Sequence, residues 1–330
     1  MVRFGIIGTN TITDKLIHAA SQHPQFELTA VYSRTEERAE EFASKHGASY
    51  TYTTIEEFVA SSQMDAVYIA SPNAFHKEQA IACMKQGKHV LCEKPMASNV
   101  DEVEEMLSVA EEEGVLLMEA VKSTLMPGFL KVKDNLHKIG RVRRFVGNFC
   151  KYSSRYDAYK EGTVMNAFNP KFSNGSLMDM GVYGIYPMVV LFGEPQSLRG
   201  NALFLESGVD GEGSITAVYD EMEAIIMFSK IQTSHTPSEI QGEEGAILIE
   251  DISEPSNIEI RYNNGKFEDL SVQQDFDPMY YEMNEFIKLI ENGEKQSVIN
   301  SHQSSTLASR VMTEARKQIG LTFPADLKQA

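Results

Sequence analysis

At 330 residues the chain is too long for one typical core, so two domains are expected. Its 42% hydrophobic and 23% charged content is ordinary for a globular protein, whereas a net charge of −17 and a pI near 4.9 weigh against nucleic acid or an anionic membrane as the main partner. Three cysteines, Cys83, Cys92 and Cys150, are odd in number and lack metal-ligand spacing, and no apolar run is read as a signal peptide or a span, so the expectation is a cytoplasmic protein without a disulfide framework or a metal.

In chain order, the first third alternates two periods. Apolar strand-type runs fall at residues 3–8, 28–32, 65–70, 88–92 and 115–118, with a shorter one at 49–52. Helix-type patterns lie between them. Ile12, Leu16, Ile17 and Ala20 recur at about one helical turn, Ala39, Phe42 and Ala43 share a side, and Gly47, Gly87 and Gly114 punctuate the ends of three helices. Strand, helix, glycine, strand predicts a doubly wound parallel sheet over residues 1–120.

Residues 121–330 read differently. A helix is expected at 128–138, a long strand at 141–153, a polar and aromatic loop at 154–175 and an apolar helix at 177–191. After Gly193 strands predominate (223–230, 238–242, 246–250 and 257–262), and helices return at 280–291 and 302–317. This is the pattern of an α+β domain with a largely antiparallel sheet.

Gly8-Thr9-Asn10-Thr11-Ile12-Thr13 follows the first strand and opens the first helix, where a dinucleotide's pyrophosphate sits on helix N-terminal amides. Against G-x-G-x-x-G/A the fit is incomplete, with Asn10 and Thr13 in place of the later small residues. Asn tolerates positive φ, so the turn survives as a phosphate site; the other reading is a plain strand-to-helix turn capped by Asn and Thr. At the end of the second strand Ser33-Arg34 stands where NAD-preferring folds carry an acid. A hydroxyl and guanidinium there, with Arg38 nearby, favour the 2′-phosphate of NADP(H) over NAD(H), unless Arg34 simply faces solvent. Further on, Cys92-Glu93-Lys94-Pro95 places a costly charged pair at the carboxyl end of a buried strand, which is where open α/β sheets bind ligands.

Together with Ser71-Pro72-Asn73-Ala74-Phe75-His76 and Asp179-Met180-Gly181-Val182-Tyr183, these segments resemble, in order and spacing over nearly the whole chain, the Gfo/Idh/MocA oxidoreductases. Tyr183, where histidine is usual, resembles the branch of trans-dihydrodiol dehydrogenase and NADP-dependent D-xylose dehydrogenase. The resemblance implies a Rossmann domain, then a domain on an open mixed sheet whose outer face makes a homodimer or homotetramer contact, with the active site in the cleft between the domains. It implies that Ser71, Asn73 and His76 line the cofactor together with Gly8, Thr9, Asn10, Thr11, Ile12, Glu93 and Lys94, and that the peptide before Pro95 is cis. The alternative for His76 is a satisfied helix-start histidine. Lys122 and Thr124, and Ser173-Asn174-Gly175-Ser176, depart from the family's usual residues beside the substrate, so no relative's substrate carries over.

Hydride transfer at C–OH or C=O also needs a proton moved on or off oxygen. Asp179 and Tyr183, four apart, share a helix face. A cation lowers a phenol's pKa, so the expected roles are Tyr183 as proton donor and acceptor, Lys94 as its tuner and oxygen ligand, and Asp179 as an orienting carboxylate toward Lys94 or a substrate hydroxyl. The competing readings are a core tyrosine and a helix-start carboxylate. Lys122, Arg155, Tyr156 and Phe168 are expected on the substrate wall. The leading function is an NADP(H)-dependent oxidoreductase of carbohydrate metabolism acting on a sugar, polyol or diol. The rivals are an inactive NADP(H)-binding sensor or regulator, and reduction of a non-sugar ligand such as a tetrapyrrole.

Overall fold

In the computed structural model, which describes residues 1–327, the chain forms two compact units. The first joins Met1–Ala120 to Phe276–His302, and the second joins Val121–Asp275 to the chain from Gln303 onward. The expected division is a single one, into residues 1–120 and 121–330; here Phe276–His302 groups with Met1–Ala120.

The first unit holds six parallel strands, β1 (Val2–Ile7), β2 (Phe26–Tyr32), β3 (Tyr50–Tyr52), β4 (Ala66–Ile69), β5 (His89–Glu93) and β6 (Leu117–Ala120), in the order β3-β2-β1-β4-β5-β6. β4 and β6 are buried throughout, as strands covered on both faces must be. The helices Thr11–Ala20 and Val100–Glu112 begin at Asn10 and Asn99, whose side chains accept helix N–H groups. The helix Ile55–Ala60, capped by Thr54, was not anticipated; six residues are too few for a 3.6-residue period to stand out. On one side of the sheet Phe58, Val67, Val90 and Met106 form the core. On the other, Phe4 packs on Phe26 at 5.1 Å and on Phe286 of the returning helix Pro278–Asn292 at 6.0 Å. Strand order reverses between β1 and β4, so the loops after Ile7 and Ile69 emerge side by side, at the switch point where such sheets bind ligands.

The second unit is built on an eight-stranded mixed sheet. Its strands are β7 (Val142–Cys150), β8 (Ser197–Phe204), β9 (Asp210–Val218), β10 (Glu223–Ser229), β11 (Ser238–Gly242), β12 (Gly245–Ile249), β13 (Ile258–Tyr262) and β14 (Phe267–Asp269), ordered β14-β13-β12-β11-β7-β10-β9-β8. Only β7 and β10 pair in parallel. β8 and β9 escape a hydrophobicity reading because the positions between their polar residues are small, among them Gly200, Ala202, Gly211 and Gly213, so the alternation is weak. The helix Val182–Phe192 lies on β7 and β10 over Ile185, Tyr186, Ile226 and Phe228. Gly184 permits that approach, since a Cβ there would sit 2.7 Å from the Ile226 side chain. Contrary to expectation, the stretch Pro170–Phe192 is long and apolar enough to cross a membrane; 67% of its most apolar 18 residues are buried, as the core element of this unit.

Candidate active site

The turn after β1 is shaped by its own side chains. Gly8 has φ of +105°, and a Cβ there would lie 2.6 Å from the Ala70 carbonyl oxygen, so only glycine fits. Asn10 is extended (φ −121°), so its tolerance of positive φ is not what keeps the turn. Its amide instead spans the switch point. Nδ2 donates to Ala70 O at 2.7 Å, and Oδ1 accepts from the N–H groups of Ile12 at 3.0 Å and Thr13 at 3.3 Å. Thr13 is buried and donates to Gly8 O at 2.6 Å. The Ile12 amide is therefore engaged by Asn10. The amides of Thr9, Asn10 and Thr11 are not used by the fold and lie at the partly or fully exposed helix start. Gly8 as a cradle and three open amides fit a pyrophosphate.

Arg38 reaches this turn from the helix Glu36–His46. Its guanidinium donates to Thr9 O at 2.8 Å and to Thr9 Oγ1 at 3.3 Å, and pairs with Glu41 at 2.7 Å. Arg34 and half-buried Ser33 sit at the end of β2, with Arg34 exposed and holding no ion pair. This pair fits a 2′-phosphate.

Beside this turn stands the loop after β4. Ser71 donates to Gln79 at 2.6 Å, and Asn73 is buried in the short helical turn Asn73–Phe75. His76 is fully buried between two carbonyls, with Nε2 2.8 Å from Ser71 O and Nδ1 3.1 Å from Pro95 O. Burial pushes its pKa down, against the pull of those carbonyls. His76 thus ties the β4 loop to the turn after β5. Glu93 is likewise a buried brace: Oε1 accepts from Tyr68 Oη at 2.5 Å and Oε2 from the Lys94 N–H at 3.2 Å. Burial and the Glu93 charge hold the Tyr68 phenol well above its usual range, so it stays a donor. The Lys94–Pro95 peptide is cis, and the Met96 N–H donates to Glu119 at 2.9 Å. Lys94, half-buried, leaves this braced turn.

In the second unit Asp179 lies in a π-helical turn, Leu177–Gly181, that runs into the helix bearing Tyr183. Such turns recur at functional sites. Asp210 anchors the start of the turn by accepting the Leu177 N–H at 2.6 Å. Burial pushes the Asp210 carboxyl up to about 6, against the backbone N–H of Leu177 and the charge of Lys230. Tyr183 is half-buried, its ring 4.8 Å from Phe149. Asp179 pairs with Lys230, Nζ to Oδ2 at 2.9 Å, a partner the sequence reading missed. Lys230 follows β10 at the edge of a strand pattern, and only its complete burial marks it.

The expected substrate wall is partly corrected. Phe168 is fully buried, between Tyr156 and Tyr159 and with the Lys230 ammonium 5.0 Å from its ring centre, so it supports a wall and does not form one. Tyr156 is half-buried, Arg155 is exposed, and Lys122 is drawn into an ion pair with Glu254. All three cysteines are free, Cys83 and Cys92 buried.

A six-stranded doubly wound sheet with a glycine-bent first turn, followed by a unit on an open mixed sheet, defines a two-part dinucleotide-type oxidoreductase architecture. Residues 2–121 match the oxidoreductase family with an NAD-binding Rossmann fold, and residues 130–248 match the GFO/IDH/MocA C-terminal domain. The chain belongs to this family. It is 54% identical over 326 residues, 99% of each chain, to scyllo-inositol 2-dehydrogenase (NADP(+)) IolU of Bacillus subtilis. It is 28% identical to trans-1,2-dihydrobenzene-1,2-diol dehydrogenase of Mus musculus, covering 98% of this chain and 99% of that one. The fold matches that of KijD10, a 3-ketoreductase from Actinomadura kijaniata crystallised with NADP and TDP-benzene (TM-score 0.85, 22% identity, 96% of this chain and 98% of that one).

Proposed function

We propose that this chain is an NADP(H)-dependent oxidoreductase that moves a hydride between the nicotinamide and a C–OH or C=O of a polyol or sugar, with scyllo-inositol the first substrate to test. The observation that carries the reading is the 54% identity, over 99% of both chains, to an NADP(+)-dependent scyllo-inositol dehydrogenase. The turn at Gly8 and the Ser33-Arg34 pair support it with groups suited to a pyrophosphate and a 2′-phosphate. In this reading the protein is cytoplasmic and self-associates through the second unit's sheet.

When bound, the nicotinamide supplies or takes the hydride. The chain's task is the proton and the orientation. Tyr183 gives or takes the proton on the substrate oxygen, and Lys94 holds the same oxygen and favours the phenolate. Asp179 accepts a hydrogen bond from a neighbouring hydroxyl and so fixes which carbon is presented. Ser71 and Asn73 line the nicotinamide end of the cofactor. Lys122, Arg155 and Tyr156 face the substrate, with Phe168 behind them.

Fluorescence titration should show tighter binding of NADPH than of NADH, and initial rates should show NADP+ reduction with scyllo-inositol or a related polyol. Lys94→Ala and Tyr183→Phe should each lose most turnover, about 10²-fold or more, with NADPH affinity retained. Binding of neither cofactor by folded, nucleotide-free protein removes the oxidoreductase reading. Cofactor binding with no turnover on polyols, sugars or diols favours the sensor instead, and near-normal rates in either variant remove that residue from the mechanism.

A further inference from the structure

A fully buried lysine is uncommon and persists only where its charge and donors are met. Lys230 follows the last residue of β10 and has no exposed surface. Its ammonium donates to Ala167 O at 2.7 Å and to Asn174 Oδ1 at 3.2 Å, and lies 2.9 Å from Asp179 Oδ2. Three N–H groups thus meet three oxygens from two stretches of chain, above the Phe168 ring. Two of the oxygens belong to the segment 166–175. In that segment Asn174 Oδ1 also accepts the Gly175 N–H at 2.9 Å, and Ser173 adopts φ of +53°, alone in that region among the described non-glycine residues. The third oxygen belongs to the π-helical turn, on a carboxylate that keeps 31% exposure.

We propose that Lys230 is a positioning residue for the polyol reaction: its buried ammonium fixes the Asp179 carboxylate and locks the 166–175 segment to the turn that carries it. The proposal rests on the reading that Asp179 serves the reaction. Lys230 touches no substrate. It offsets the charge of Asp179, so this carboxylate works as a fixed hydrogen-bond acceptor for a hydroxyl and not as a mobile base. Through Ala167 and Asn174 it also sets where the Phe168 and Tyr156 rings stand. Hydroxyl geometry is read only if both parts are held together, since a misplacement of about 1 Å can lower rate by about a hundredfold.

Lys230→Met, Asp179→Asn and the double variant, assayed with scyllo-inositol and NADP+ and titrated with NADPH, test this. Lys230→Met fills the same space without charge or donors. It should raise KM and lower kcat, so that kcat/KM falls by about a hundredfold, while NADPH affinity stays that of the parent. Added to Asp179→Asn, it should cost no more than about tenfold further, well short of its effect in the parent, because much of its action runs through that carboxylate. A folded Lys230→Met with kcat/KM within about threefold of the parent, or losses that simply multiply in the double variant, overturns the proposal. If Asp179→Asn alone is as active as the parent, the reading of Asp179 fails first; if it is crippled and Lys230→Met is not, only the positioning role fails. Should Lys230→Met not fold, Lys230→Gln, which keeps two N–H donors on a shorter and uncharged side chain, takes its place in the same cycle.

Discussion

Arg34 and Arg38 carry the same charge four residues apart on one helix entry, yet their surroundings separate them. Arg38 already donates twice to Thr9 and pairs with Glu41, so it props the pyrophosphate turn. Arg34 is exposed at the strand end, beside the Ser33 hydroxyl. A charge-assisted hydrogen bond is worth about 1.5–3 kcal/mol, or roughly ten- to a hundredfold in affinity. Arg34→Ala should therefore weaken NADPH by about tenfold or more and leave NADH nearly unchanged. Arg38→Ala should weaken both cofactors alike, because the prop it removes serves the shared pyrophosphate. Parallel titrations of the two variants decide the matter: equal losses of NADPH and NADH in Arg34→Ala would deny it the 2′-phosphate. Gly8, Asn10, Arg34, Lys94, Asp179 and Tyr183 were legible because each stands at a strand end or a fixed spacing. Lys230 was not, since nothing in a strand's own pattern says that a lysine just past its end turns inward. For His76 and Glu93 the motif locates the residue without saying which way its side chain faces.

At the scale of elements, the π-helical turn is held by Asp210, which arrives from β9, more than thirty positions later in the chain than Leu177. The sequence gives the helix and its apolar face but not this anchor, because β9 alternates too weakly to be seen and its first residue looks like a turn aspartate. The anchor has a pH signature. A carboxyl with a folded pKa of about 6, against an ordinary 3.8, binds more protons in the folded state across that interval. Its contribution favours folding below about pH 4 and is lost as pH rises through 6. Asp210→Asn keeps an oxygen for the Leu177 N–H and removes the titration. The stability of this variant relative to the parent should thus rise between pH 4 and pH 7, by up to roughly 3 kcal/mol for a shift of about two pKa units. Urea unfolding of the pair at matched pH values checks this, and taking the difference cancels carboxylates of opposite sign such as Asp14 and Asp65, which their cationic neighbours hold below the usual range. A difference that stays flat from pH 4 to pH 7 would mean that Asp210 does not titrate there.

For the whole molecule, the sequence pattern separates a parallel from a mainly antiparallel sheet but does not say which sheet a late amphipathic helix covers. The helix Pro278–Asn292 buries Met283, Phe286 and Ile287 like any other; Phe4 on the far side of the chain decides its place, and Asn300 and His302 fasten the return to the carbonyls of Glu119 and Leu117. The second sheet raises the converse question of an uncovered face. Its inner face carries Phe145, Ile226, Phe228 and Ile240 under the helices. Strand alternation sends Val146, Ile225, Met227 and Leu248 to the opposite face, where they stay only partly buried. Glu239 interrupts the row between Val146 and Leu248, so its apolar part is Val146, Ile225 and Met227 on the adjacent central strands β7 and β10, the kind of half-exposed aliphatic surface that an interface between copies buries. Sedimentation velocity at micromolar concentration should accordingly give a species of at least twice 36.9 kDa. Ile225→Glu, which sets a charge in that row beside Val146, should shift the protein toward monomer with its circular dichroism unchanged. Parent protein that sediments as a monomer, or an Ile225→Glu protein that assembles as the parent does, would place the contact elsewhere or nowhere. Since the helices and the π-helical turn lie against the inner face, monomeric Ile225→Glu should also keep NADPH affinity, so that loss of assembly and loss of the site are separately visible.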